Sequence, residues 1–307
     1  MVSSTGISGQ RQALQRVSRR LARRLAIVGG MILSVLPIVG RPPSAAAEDG
    51  IYVIKIDGSG ERKVTSVEGI EYHASPRWSH DGKRLVFETR DDNGVTKSCV
   101  VNLDGTGLME LGEMGAPDWS PDDKQVVFHY DGGNMQEGAW VQNMDGGGLD
   151  FLVAGTWPRW SPDGSKSAYC DGGNLAVRDL VQGDDHLLTE ESPAQRPGSF
   201  EWSRDGKRLA YFTRTIPNGP RELFIVGADR TNKGVPPRFS QQGTRIGGHV
   251  TWALGDKQLI FTIESFIHVL DAEGDAGPKL LPGQSDKSRD PACSPDGQWI
   301  SFARRPD

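Results

Sequence analysis

The sequence predicts an all-β fold: one six-bladed β-propeller whose last blade is closed by pairing of its N-terminal and C-terminal strands. Two observations carry this expectation. A short box recurs six times, centred on Trp78, Trp119, Trp160, Trp202, Trp252 and, in the last copy, Cys293, with successive copies 41, 41, 42, 50 and 41 residues apart. A period near 40 residues with four short strands per unit is that of propeller blades. In addition, one strand hairpin precedes the first box and none follows the last, so the two ends complete each other and leave no free sheet edge.

The first 47 residues of the 307 read differently from the rest. They hold seven Arg and no Asp or Glu, and Arg19, Arg20, Arg23 and Arg24 stand just before an apolar run from Leu25 to Val39. Ser44-Ala45-Ala46-Ala47 follows, so the segment reads as a secretory signal cleaved after Ala47. A retained membrane anchor is the alternative, although the run is shorter than the ~20 residues of a spanning helix. Ser18-Arg19-Arg20 hints at twin-Arg export. No Cys follows the run for lipid attachment.

Without those seven arginines the mature part, residues 48–307, keeps 28 of the 35 basic residues against 40 acidic ones, a net charge of −12. That balance argues against a nucleic-acid platform, which needs a basic face.

Ile51-Tyr52-Val53-Ile54-Lys55-Ile56 with Asp57-Gly58-Ser59-Gly60 is the outer hairpin that arrives before any box. Each box then writes a type I turn, most clearly in Ser161-Pro162-Asp163-Gly164 and Ser294-Pro295-Asp296-Gly297. Pro presets φ at the second position and Gly tolerates the fourth. After each turn comes an apolar strand: Leu85-Val86-Phe87, Val126-Val127-Phe128, Ala168-Tyr169, Leu209-Ala210-Tyr211-Phe212, Leu259-Ile260-Phe261 and Ile300-Ser301-Phe302. Nearly continuous apolar character is expected where both sheet faces are covered by neighbours. A second hairpin follows in each unit, as at Asp104-Gly105 and Asp145-Gly146.

The repeat Pro-x-Trp-Ser-Pro-Asp-Gly, as in Pro158-Arg159-Trp160-Ser161-Pro162-Asp163-Gly164, with Ile-Tyr-Val hairpins between copies, resembles the TolB-type, WD40-like (PD40) propeller repeat over residues 50–305. The resemblance implies a periplasmic, non-enzymatic protein-binding propeller of the cell envelope. Its implied partner is a Pal-like lipoprotein of the Tol–Pal system. TolB carries an α/β domain ahead of its propeller, and this sequence is expected to lack it.

No Gly-x-Ser-x-Gly, His-Glu-x-x-His, phosphate loop or Cys-x-x-Cys occurs, so no catalytic residue, cofactor or metal is assigned. The Asp-Gly turns lack the ligand spacing of a Ca²⁺ loop. Cys99 and Cys170 lie in different blades, where buried thiols are favoured over a bridge, and Cys293 reads as a buried apolar position. His80 stands where the turn Pro does elsewhere and is expected in solvent. The candidate channel-mouth binding residues are His73, Arg77, Asp118, Arg159, Glu201 and His249. His73 and His249 lie just ahead of box Trp residues. Arg77, Asp118, Arg159 and Glu201 each precede a box Trp and alternate in charge around the ring, with Thr251 and Ala292 in the last two copies. They either pair between blades or face a ligand. A second expectation places binding on the face carrying the loops Arg90–Gly94, Asp131–Asn134, Asp171–Asn174 and Thr215–Gly219, with the long insert of residues 233–248.

Three readings follow. The first is the exported binding propeller, a monomer. The second is a channel-centred enzyme such as a polysaccharide lyase or hydrolase, with His73, His249, Arg77 and Arg159 as first suspects. The third is a membrane-anchored sensory or scaffold module.

Overall fold

The computed structural model describes residues 48–304, apart from residues 69, 71, 132–134, 191–194, 216–219, 230–237 and 242–243. The expected signal or anchor, residues 1–47, lies outside the described residues, as do parts of the predicted loops and of the insert.

Twenty-four strands form six four-stranded antiparallel sheets. Blade 1 comprises β3 (His73–Trp78), β4 (Arg84–Arg90), β5 (Thr96–Asn102) and β6 (Met109–Gly112). Blade 2 comprises β7 (Gly115–Trp119), β8 (Gln125–Tyr130), β9 (Gly138–Asn143) and β10 (Leu149–Val153). Blade 3 comprises β11 (Thr156–Trp160), β12 (Lys166–Asp171), β13 (Asn174–Asp179) and β14 (Asp185–Leu187). Blade 4 comprises β15 (Gln195–Trp202), β16 (Arg208–Thr215), β17 (Arg221–Gly227) and β18 (Phe239–Gln241). Blade 5 comprises β19 (Ile246–Ala253), β20 (Gln258–Ile263), β21 (Phe266–Asp271) and β22 (Lys279–Leu280). Blade 6 joins both ends of the chain in the order β2 (Arg62–Thr65), β1 (Gly50–Lys55), β24 (Trp299–Arg304) and β23 (Arg289–Cys293). Strands β1 and β24 pair from Gly50↔Arg304 to Lys55↔Trp299, so the predicted closure holds.

The core lies between blades. Alternate residues of each second strand point to the two neighbouring sheets, so Ala210 and Phe212 of blade 4 pack with Trp252, Leu259 and Phe261 of blade 5. Leu209 and Tyr211 join Ala168 and Val177 of blade 3 on the other side. Box indoles tie the blades further: Trp78, Trp202 and Trp252 donate to the carbonyls of Ala292, Arg159 and Glu201 in the preceding blade. Five box turns share one side-chain lock. The buried Ser hydroxyl donates to the turn Asp, as Ser161 does to Asp163 at 2.6 Å, and accepts the amide of the returning strand, here Lys166 at 2.9 Å.

Two clasps secure the closure. Arg304, 3% exposed, meets both carboxylate oxygens of Glu61 at 2.9 and 3.1 Å and lies over the Tyr52 ring at 4.6 Å. His73 bonds Asp49 through Nδ1 and accepts the Val67 amide at Nε2.

The three cysteines are free thiols, Cys99 and Cys170 buried and Cys293 half-buried. The insert in blade 4 is divided differently from the expectation. Since Leu223 pairs with Phe239, β17 ends at Gly227 and β18 begins at Phe239 on the face of the box turns, while residues 230–237 between them lie outside the described residues.

Candidate functional site

The six inner strands bring the residue ahead of each box Trp to the ring axis, where Arg77 spans the channel. Its Nη1 donates to Glu201 at 2.7 Å, and its Nη2 to Nδ1 of His249 at 3.2 Å. Arg77 belongs to blade 1 and Glu201 to blade 4, on opposite sides of the ring, so the pair is a bar across the axis and not a link between adjacent blades. Burial, with Asp118 alongside, raises the Glu201 carboxyl above its ordinary range against the pull of Arg77 and Arg159. Burial and the two guanidinium charges hold His249 well below the usual imidazole value. His249 is therefore neutral, accepts at Nδ1 and keeps its proton on Nε2.

The bar separates two cavities. On the box-turn face a vestibule of about 290 Å³ is lined by Arg77, Glu201, Asp118 and the indoles of Trp78, Trp160, Trp202 and Trp252. Asp118 accepts the Trp160 amide at 3.0 Å, a link between adjacent blades. Arg204, where three boxes carry the turn Pro, reaches from blade 4 to blade 6, donates to the carbonyls of Ser294 and Pro295 and lies 3.7 Å from the Cys293 sulfur. Burial lifts the Cys293 thiol to about 11, against the pull of this guanidinium.

On the loop face a second cavity, about 280 Å³, is lined by Glu88, Trp157, Arg159, His249 and Asp290. Its rim is built from a bulge in the inner strands. Ser75, Ala116, Trp157 and Asp290 adopt left-handed backbone, φ 52–55°, each just before the Pro of its box. Such a residue adds one position to its strand and turns its amide aside: Ala116 N–H donates to Glu88 and Ser75 N–H to Asp290 at 3.3 Å. Burial, aided by Asp290, lifts the Glu88 carboxyl above its usual range despite the Ala116 amide.

Arg77 thus touches both Glu201 and His249, and Asp118 shares the vestibule with Arg77 and Glu201. Arg159, equivalent to Arg77 in the repeat, bends the other way, into the loop-face cavity, where burial and the charge of Arg77 depress its guanidinium to about 10. His73 is not at the channel. It is fully buried, stacked on Phe87 and spent on the closing blade. The cause is the bulge at Ser75: one extra residue reverses strand alternation and moves His73 to the side that carries Trp78. His80 is 41% exposed at its turn, as expected, and borders the vestibule. Sequence reasoning missed Glu88, Trp157, Arg204 and Asp290. Only Arg204, a departure from the turn Pro, carried a visible signal. Among the described residues no group of three His, Cys, Asp or Glu converges as a metal site requires.

No family model matches the chain, and no curated protein matches it. Solved structures do. A protein assigned as a TolB in Agrobacterium tumefaciens superposes with a TM-score of 0.65 at 17% identity, over 84% of this chain and 98% of that one. TolB from Acinetobacter baumannii gives 0.58 at 14% identity, over 86% of this chain and 66% of its own. Hydrazine synthase from Kuenenia stuttgartiensis gives 0.53 at 16% identity, over 79% and 75%. The shared feature is the fold, an all-β, TolB-like six-bladed propeller.

Proposed function

We propose that this chain is an exported, non-enzymatic binding propeller of the cell envelope that receives a protein partner in the vestibule of the box-turn face. The observation that carries the reading is the vestibule itself: four indoles surround Arg77, Asp118 and Glu201, with His80 and Arg204 at its border. Aromatic anchors beside a few charges suit capture of a protein side chain or segment. The TolB-like fold supports a Pal-type lipoprotein as the partner and the periplasm as the compartment, and the Arg-rich segment ending at Ala47 supports export. Binding of the full chain to a purified Pal-type lipoprotein tests the partner. Saturable binding that Asp118→Asn weakens about tenfold is expected, whereas no binding by the unaltered chain would refute it. N-terminal sequencing of the protein from its cell tests export. A start at Glu48 is expected, and an intact Met1 would favour the anchored module.

A channel enzyme is the second reading, favoured by Glu88, whose carboxyl is raised in a cavity shared with Asp290. A buried carboxyl raised in this way can serve as a general acid. Turnover in a polysaccharide screen that Glu88→Gln abolishes would select this reading.

A further inference from the structure

We infer that the loop-face cavity is a receptor for a ring-bearing monocarboxylate, gripped by the free edge of Arg159 and stacked on Trp157. Three arginines are buried among the described residues: Arg77, Arg159 and Arg304. Arg77 is paired with Glu201 and Arg304 with Glu61. Arg159, 4% exposed, has no carboxylate partner. Its Nη1 donates to the carbonyls of Ala116 and Pro158 at 3.1 and 3.0 Å, and its buried Nε has no partner. Its Nη2 also bonds to nothing among the described residues. Nε and Nη2 form one edge of the planar guanidinium, the edge that takes both oxygens of a carboxylate in parallel. Asp118, Glu201 and Glu88 act on this guanidinium without bonding to it, and an entering carboxylate that bonded its free edge would offset part of the cost of burying the charge.

The surroundings narrow the class. His249 lines the same cavity, and its Nε2 proton is unspent because Nδ1 accepts from Arg77. Arg221 lines the cavity as well, and Glu88 and Asp290 stand against the two guanidinium groups; since burial disfavours the charged form of Glu88, a single negative charge fits and a phosphate dianion does not. Trp157 is 44% exposed at the rim although its backbone is held at φ 55°. An exposed indole on strained backbone beside a polar cavity is a stacking platform for a ring face. A cavity of about 280 Å³ admits one ring with its carboxylate. The ring is either aromatic or a sugar acid, for which Glu88 and Asp290 would accept hydroxyl protons. This inference stands apart from the vestibule on the opposite face.

The test titrates the full chain with sodium benzoate, sodium glucuronate, glucose and phosphate at constant ionic strength, read by calorimetry and tryptophan fluorescence. At least one ring carboxylate should bind saturably, with glucose and phosphate about tenfold weaker or more. Benzoate alone would identify an aromatic acid, and glucuronate alone a sugar acid. Arg159→Lys keeps the charge but loses the fork, and should weaken binding more than tenfold. Since Arg159 lies at the axis, the fold of that variant is checked by circular dichroism. Trp157→Ala, at the exposed rim, carries the test independently and should cost severalfold to about tenfold. The inference is overturned if neither ring carboxylate binds, if glucose or phosphate binds equally well, or if Trp157→Ala leaves affinity unchanged.

Discussion

At the scale of single residues, the departures from the repeat carry more information than the repeat itself. All six box turns place their fourth residue in left-handed backbone, a Gly in four of them, and Asp123 at φ 59° and Asp256 at φ 65° occupy that conformation in blades 2 and 5. A non-Gly residue there costs about 1–2 kcal/mol. Asp123 offsets it by accepting the His80 and Asp81 amides of the preceding blade at 2.6 and 2.8 Å, and Asp256 does the same for Arg204 and Asp205. Above each latch an Arg of the earlier blade covers the next indole, Arg84 over Trp119 at 4.5 Å and Arg208 over Trp252 at 4.8 Å. Asp123→Gly therefore relaxes the backbone but removes two charged hydrogen bonds, each contributing about 1.5–3 kcal/mol. The expected result is a net loss of about 1–5 kcal/mol in urea unfolding, and a variant as stable as the parent would contradict the latch. The type I turn of the box was legible because its residues are consecutive in sequence, whereas the Ser–Asp bond that locks five of the turns emerges only from the structure. Asp123 carried no such local signal, since its partners belong to another blade. For the same reason Cys293 and Arg204, each an exception in its own copy, gave no sign that they meet.

At the scale of elements, closure was legible and the bulges were not. The lone hairpin at the start and the missing one at the end both follow from counting strands, and β1 pairs with β24 over the full length of each. The bulge moves one residue by one position, which leaves hydrophobic periodicity almost unchanged. In hindsight the box Pro, present in blades 1, 2, 3 and 6, marks the bulges built on a left-handed non-glycine residue, whereas blades 4 and 5, with Phe200 and Val250 in its place, shift register without one. Missing that shift is what placed His73 at the channel. Closure also depends on close backbone approach. A Cβ at Gly283 would stand 2.0 Å from the Gly58 carbonyl oxygen, so the β1–β2 turn packs on blade 5 only through glycine. The Arg304–Glu61 clasp is the most testable part of this seam. Burial disfavours the charged Glu61, yet hydrogen bonds from Arg304 and Ser285 hold its carboxyl below the usual range. Arg304→Gln leaves that carboxylate with a lost partner and should cost about 3–5 kcal/mol, the range for breaking a buried pair. Unfolding by urea together with proteolysis of the N-terminal strand would check it. An unchanged midpoint would mean that strand pairing alone closes the ring.

At the scale of the whole molecule, the Arg77 bar turns a channel into two chambers back to back, and its protonation chemistry can be read as stability. The buried His249 is held neutral, so below about pH 6.5 the unfolded chain takes up a proton that the folded chain refuses. Folding stability then falls with acidification, by up to about 1.4 kcal/mol per pH unit once the imidazole of the unfolded chain is charged. Glu201 and Glu88 act in the opposite sense. Their folded values are raised, so the native state takes up protons first, and acidification relieves the penalty of burying their charge. The slope of the parent protein alone is therefore ambiguous, and the difference between parent and variant is the useful quantity. His249→Gln keeps an acceptor for Arg77 and removes the titrating imidazole. Between about pH 7.5 and pH 5.5 the parent should lose roughly 1 kcal/mol relative to the variant, measured by urea unfolding at each pH. Parallel curves would show that His249 is protonated freely in the folded state. The two chambers would then be joined by water at the axis, and the bar between Arg77 and Glu201 would not seal it.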